Sequence, residues 1–366
     1  LPGPGWQRVR PRLAGICGSD LSLLDGHASR YFDRLVSFPF VPGHEVVGTL
    51  EDGRRVVVQP ALGCQARDVV PMCPACAEGR VGACERVVFG RLEPGLQTGY
   101  CASTGGGWSA ELVAHESQLY AVPEDMADEE AVMVEPTACA VHAAVGAGIA
   151  SGDTVVVLGA GTLGLLATVA VRHFALPGTL LVAGRYSHQR RWAAELGADE
   201  ALPPDQVGRA VRRLTRSFAL GRQLTGGADV VLDCVGSADS LAQALSLVRP
   251  GGRVCLVGMP GPGRLDLAPL WQREVVLTGA YAYGTEQVGG RFVRTFELAF
   301  ELVASARLGR LVSARFPLER FEEAVAHAAA AGRRGSVKVV FDLGLAPERP
   351  AGGRAGVRSR RRRPSP

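Results

Sequence analysis

Four short stretches hold residue types that could carry out metal and dinucleotide chemistry. Gly15-Ile-Cys-Gly-Ser-Asp20 sets the thiol of Cys17, the hydroxyl of Ser19 and the carboxylate of Asp20 side by side, and Pro42-Gly-His-Glu45 adds the imidazole of His44 next to the carboxylate of Glu45. Thiolate, imidazole and carboxylate are the donors a catalytic zinc uses, three of them with one position left open. Cys64, Cys73, Cys76 and Cys84 fall within 21 positions, and four thiolates can close a tetrahedral structural site. The last stretch, Gly159-Ala-Gly-Thr-Leu-Gly164, follows the apolar run Thr154 to Leu158 and leads into the helical pattern Leu165 to Phe174. In that setting Gly159 permits a tight turn, Gly161 lets a pyrophosphate approach the backbone and Gly164 allows close packing of helix on strand. Thr162 and Leu163 then open a helix whose N-terminus receives the phosphates.

Two textures of sequence must position these groups. Up to about residue 125 the chain is rich in glycine and proline, with short apolar runs such as Val46-Val47 and Val56-Val57-Val58, which predicts an irregular all-β domain. From about Ala131, alanine-rich helical stretches alternate with apolar strands at Thr154 to Leu158, Leu180 to Ala183, Val230 to Leu232 and Val254 to Val257. That alternation predicts a parallel, doubly wound sheet with right-handed crossovers, with Val235 and Val257 near the strand ends as further cofactor contacts. Helices are expected over Phe292 to Ala306 and Leu318 to Ala331, and a last strand over Ser336 to Asp342. Beyond Asp342 no hydrophobic period remains, so residues 344–366 are expected to be a disordered basic tail.

The ribose end of the dinucleotide can be read as well. Proteins that bind NAD usually place a carboxylate about 20 positions after the glycine motif, to accept from the 2′-hydroxyl. Here the second strand ends in Gly184-Arg185, and an arginine suits a 2′-phosphate. NADP is therefore expected over NAD.

Taken together, the cysteine and histidine motifs, the cysteine lobe, Glu135-Pro136 and the glycine turn resemble the zinc-dependent medium-chain dehydrogenase/reductases, the family of zinc alcohol, sorbitol and threonine dehydrogenases. The resemblance runs from about residue 5 to 342. It implies an α/β protein in which a GroES-like β catalytic domain, about residues 1–136 and 284–343, surrounds a Rossmann domain of about 137–283. It makes Cys17 and His44 ligands of a catalytic zinc, with Glu45 and Glu135 as the nearby carboxylates that supply the remaining ligand or hold its water. Asp20 would fix the histidine tautomer, and Ser19 would pass on the proton of the alcohol. Three departures stand out. Ser22 occupies the place where the family's proton relay often continues to a histidine. The cysteine lobe reads C-x8-C-x2-C-x7-C, as though six residues were inserted after Cys64. Similar proteins also carry further strands before the point where this sequence opens, so a literal reading leaves one edge of the β domain without a partner.

Composition excludes several other classes. The 366 residues are 47% hydrophobic and 21% charged, ordinary for two globular domains. The longest apolar stretch, Thr154 to Val171, is broken by three glycines, so no membrane span is expected, and Leu1 to Gly5 lacks the apolar core of a signal peptide, which suggests a cytoplasmic protein. Seven arginines and one glutamate from Gly344 onward carry +6 of a total +4, which leaves the body at −2 and argues against a nucleic-acid surface. The partners implied are a small alcohol or carbonyl substrate and, through the resemblance, further copies of the chain as a dimer or tetramer. Two alternatives are a zinc-free quinone or enone reductase on the same fold and a non-catalytic module whose Arg360 to Arg363 run binds nucleic acid.

Overall fold

The computed structural model describes residues 1–221 and 223–345. The tail expected from Gly344 therefore lies, from residue 346 onward, outside the described residues.

Strand β1 (Trp6–Gly15) shows why the first sheet forms where it does. Trp6, Val9, Pro11 and Leu13 turn inward while Arg8, Arg10 and Arg12 face water, the period-two pattern of a strand with one buried face. It pairs antiparallel with β2 (Val46–Leu50), with a register shift between Pro11 and Leu13 where the proline cannot donate to the ladder. Strands β3 (Arg55–Val58), β4 (Leu112–His115) and β5 (Leu119–Ala121) extend the same sheet. Between β1 and β2 lies the short helix α1 (Gly18–Leu24).

The next stretch builds a second sheet. After helix α2 (Val134–Gly146) come β6 (Thr154–Leu158), helix α3 (Thr162–Phe174), β7 (Thr179–Ala183), helix α4 (Ser187–Glu195), β8 (Glu200–Leu202), β9 (Ala228–Asp233), β10 (Val248–Leu256) and β11 (Val276–Gly279). They pair in parallel in the order β11-β10-β9-β6-β7-β8, the doubly wound arrangement with its crevice where the order reverses, between β6 and β9. Val155 to Leu158 are all buried, as expected of a parallel strand covered on both faces.

Beyond the second sheet the chain returns to the first. After helix α5 (Thr295–Ala306), β12 (Val312–Phe316), helix α6 (Phe321–Ala329) and β13 (Lys338–Asp342) follow, and β13 joins β1 with Leu13 opposite Asp342. The first sheet thus combines residues 6–121 with residues 312–342.

One expected element is corrected. The helix predicted from Phe292 starts at Thr295, and Phe292 belongs instead to a hairpin of Thr285–Val288 with Arg291–Arg294. Its two-residue turn is Gly289-Gly290, both at positive φ, a turn only glycine-type residues make cheaply. The helix expected over Leu318 to Ala331 is a 3-10 turn followed by α6.

Candidate active site and nucleotide crevice

Cys17 is the N-cap of α1, which sets its thiol at the end of β1. Ser19 is the second residue of the helix, and Asp20 at the third helical position turns back so that its carboxylate accepts from the Cys17 amide at 3.0 Å. The Asp20 carboxylate is fully buried. It lies 3.4 Å from Nδ1 of His44, within ion-pair range. This arrangement points the other ring nitrogen of His44 away from Asp20. Burial by itself would lower the His44 pKa, but the nearby Asp20 carboxylate, with Cys17, holds it well above the usual imidazole value.

The ligand atoms of Cys17, His44 and Glu45 lie within 4.8 Å of one another. Glu135, on the first turn of α2, stands outside that cluster. It is buried and pushed up to about 7, chiefly by desolvation with help from the Glu45 charge, while His44 pulls the other way. Cys139, one turn along α2, lies 3.7 Å from its carboxylate.

Two neighbours were not foreseen in the sequence. Glu45 makes a buried ion pair with Lys338 of β13, whose ammonium also donates to the Ile16 carbonyl at 3.3 Å. Gly15 leaves the room for this pair, since a Cβ there would collide with the Glu45 carboxylate. Lys338 is the only lysine in the chain, and a lone lysine on an apolar strand was a readable signal. The second neighbour, Tyr100, donates to Asp20 at 3.3 Å, packs its ring 5.7 Å from that of His44 and interacts with the Ser19 hydroxyl.

The four lobe cysteines come together as their spacing predicts. All are buried, none is in a disulfide, and their sulfurs lie within 4.8 Å of one another. Despite desolvation, amide donors from Cys76 and Glu85 bring Cys73 down to about 7. Burial pushes Cys84 up to about 11 and raises Cys76 as well. Crowded, buried thiols of this kind are a poor apolar core and a good tetrahedral donor set, so the lobe fits zinc. The mixed donors around Cys17 likewise fit a zinc with a position left open. The inserted segment after Cys64 carries Arg67, whose buried guanidinium donates to the carbonyls of Leu62, Phe89, Leu92, Glu93 and Gly95.

In the second domain, Gly159 has a φ of +92° and a Cβ on Gly164 would collide with the Gly159 carbonyl, so both glycines are required by the turn. Gly161 is the N-cap of α3, with open space beside it. Thr162 donates its hydroxyl to the Val337 carbonyl at 3.0 Å, and Leu163 packs on the core. Val235 is exposed across the crevice, and Val257 donates its amide to the Asp233 carbonyl. The Asp233 carboxylate, unremarked in the sequence, organises this loop by accepting from the amides of Val235 and Gly236 and from Ser240. Gly184 is packed against Arg190 and Ala160, while Arg185 is exposed at the end of β7.

Comparison with known proteins agrees with this geometry. Residues 3–124 match the alcohol dehydrogenase GroES-like domain, and residues 162–304 match the zinc-binding dehydrogenase family. Sorbitol dehydrogenase of Arabidopsis thaliana is 31% identical over 93% of this chain and 89% of its own. The chain belongs to the zinc-dependent medium-chain dehydrogenases. D-xylulose reductase A of Aspergillus oryzae is 30% identical over 89% of this dehydrogenase and 86% of its own length. A solved zinc-binding dehydrogenase from Sinorhizobium meliloti 1021, bound to NADP, superposes with a TM-score of 0.72 at 27% identity, covering 93% of each chain. Membership makes this dehydrogenase a zinc-dependent oxidoreductase of alcohols that works with a nicotinamide dinucleotide on a small-molecule substrate. Among the described residues no helix is long and apolar enough to cross a membrane.

Proposed function

We propose that this dehydrogenase oxidises a polyol or sugar alcohol, and in reverse reduces the corresponding carbonyl, at a zinc held by Cys17, His44 and a carboxylate from Glu45 or Glu135, with NADP preferred over NAD. The observation that carries the reading is the meeting of thiol, imidazole and carboxylate within 4.8 Å. A bound zinc would supply Lewis acidity toward the substrate oxygen. The remaining work falls to side chains. Asp20 holds the His44 ring, Ser19 takes the proton of the alcohol, and Glu135, poised near 7, can hold or release a proton at neutral pH. Lys338 restrains Glu45, which favours Glu135 as the carboxylate free to move. The sorbitol and xylulose relatives support the polyol class.

Kinetics with both cofactors over a panel of alcohols and sugars test this reading. The contact of Arg185 with a 2′-phosphate should give NADP a roughly ten- to a hundred-fold advantage, and Arg185→Ala should remove most of it. Wild-type preference for NAD would overturn the cofactor assignment.

Metal content gives a separate check. We expect two zinc ions per chain, falling to one in Cys64→Ser as the four-thiolate lobe opens. An unchanged count would show that Cys64 is not a ligand. Nine unpaired cysteines support a reducing, cytoplasmic setting, and sedimentation should find a dimer or tetramer.

A further inference from the structure

We infer that Arg333, on the segment that returns to the first sheet, forms a second wall of the 2′-phosphate site, so that NADP is gripped by guanidinium groups from both domains. The inference rests on the reading that Arg185 selects NADP. It begins with an unusual contact. Gly332 lies directly on the ring of Tyr186, where a Cβ would collide with the aromatic edge. Each partner in that contact adjoins an arginine, Arg185 before Tyr186 and Arg333 after Gly332. A few residues on, the Thr162 hydroxyl holds the Val337 carbonyl at 3.0 Å, which ties the same segment to the start of the phosphate-binding helix. Residues 332–337 therefore run alongside the nucleotide crevice, from the ribose end of β7 to the first turn of α3.

Two neighbouring arginines are already engaged. Arg190 donates to the carbonyls of Gly184 and Arg185 at 2.9 and 3.0 Å, and Arg334 contacts Nδ1 of His327 at 3.2 Å. Arg185 and Arg333 are both exposed, and among the described residues neither guanidinium has a hydrogen-bond or ion-pair partner. His188 stacks on Tyr186 with ring centroids 5.9 Å apart, and its buried Nε2 has no hydrogen-bond partner. Two exposed arginines that adjoin the two sides of the Gly332–Tyr186 contact in the chain, neither engaged elsewhere, suit a phosphate dianion, which each guanidinium fork can meet with two parallel hydrogen bonds. A 2′-hydroxyl would use neither fork fully.

The test measures affinity of the zinc-loaded full chain for 2′,5′-ADP and for 5′-AMP by calorimetry, in wild type, Arg185→Ala and Arg333→Ala. The readout is the ratio of the two affinities, which a general loss of structure would not change selectively. Wild type should favour 2′,5′-ADP, and Arg333→Ala should lower that ratio roughly ten-fold or more, comparable to Arg185→Ala. Arg333→Lys should restore part of it by keeping the charge without the fork. If wild type favours 2′,5′-ADP and Arg333→Ala keeps the full ratio, this inference fails while the NADP reading stands. If wild type shows no preference, the NADP reading fails and this inference with it.

Discussion

Replacing Cys17 by alanine should reduce turnover by about a thousand-fold or more while dinucleotide affinity stays within a factor of two or so. The magnitude follows from the role of the thiol. A metal that polarises the substrate oxygen contributes several kcal/mol to the transition state, and each ~1.4 kcal/mol is a factor of ten in rate. The selectivity follows from the architecture, because Cys17 caps α1 beside the first sheet and the glycine turn lies in the second. Steady-state kinetics, zinc content and a cofactor titration on the same preparation check all three parts. Near-normal turnover would remove Cys17 from the reaction.

The second large effect is on stability. Lys338 and Glu45 are both almost wholly buried and pair with one another. Burial would lower the lysine pKa, but the Glu45 charge, followed by that of Cys17, raises it, so the ion pair persists at neutral pH. Removing one member of a buried pair strands the other, typically at a cost of about 3–5 kcal/mol. Lys338→Met should therefore destabilise the zinc-stripped protein by that order, measured by denaturant unfolding. The double variant Lys338→Met, Glu45→Gln leaves no uncompensated charge and should recover most of the loss. If the single variant unfolds at the wild-type midpoint, the pair contributes little.

Much of this was legible in the sequence because the signals are local. Gly159, Gly161 and Gly164 lie within six positions and their roles are set by backbone contacts, so the spacing alone carries them. Cys73, Cys76 and Cys84 keep a spacing that one loop can bend around, and Cys64 joins them although eight residues separate it from Cys73. What the sequence did not disclose depends on distant pairing. Glu45 and Lys338 are 293 positions apart, and no periodicity links them. The hydroxyl of Tyr100 reaches Asp20 across 80 positions, from a Gly- and Ser-rich loop that has no pattern of its own. The Gly289-Gly290 hairpin is a different kind of miss. Its turn signal lies in the sequence, but Phe292 and Val293 after it also fit the first turn of a helix, so the helical period runs on into the hairpin.

The pairing of β1 with β13 bears on how the protein is made. Leu13 meets Asp342, so the first sheet cannot close until nearly the whole body of the chain has left the ribosome. The parallel sheet needs nothing beyond Gly279. Domains usually fold as units in the order of synthesis, but here the segment synthesised first must wait. The nucleotide-binding sheet can form while the early strands still lack β13 and Glu45 still lacks its lysine. A nascent chain held on the ribosome with residues up to 279 already emerged would thus be expected to bind dinucleotide before it can complete the sheet that carries Cys17 and His44.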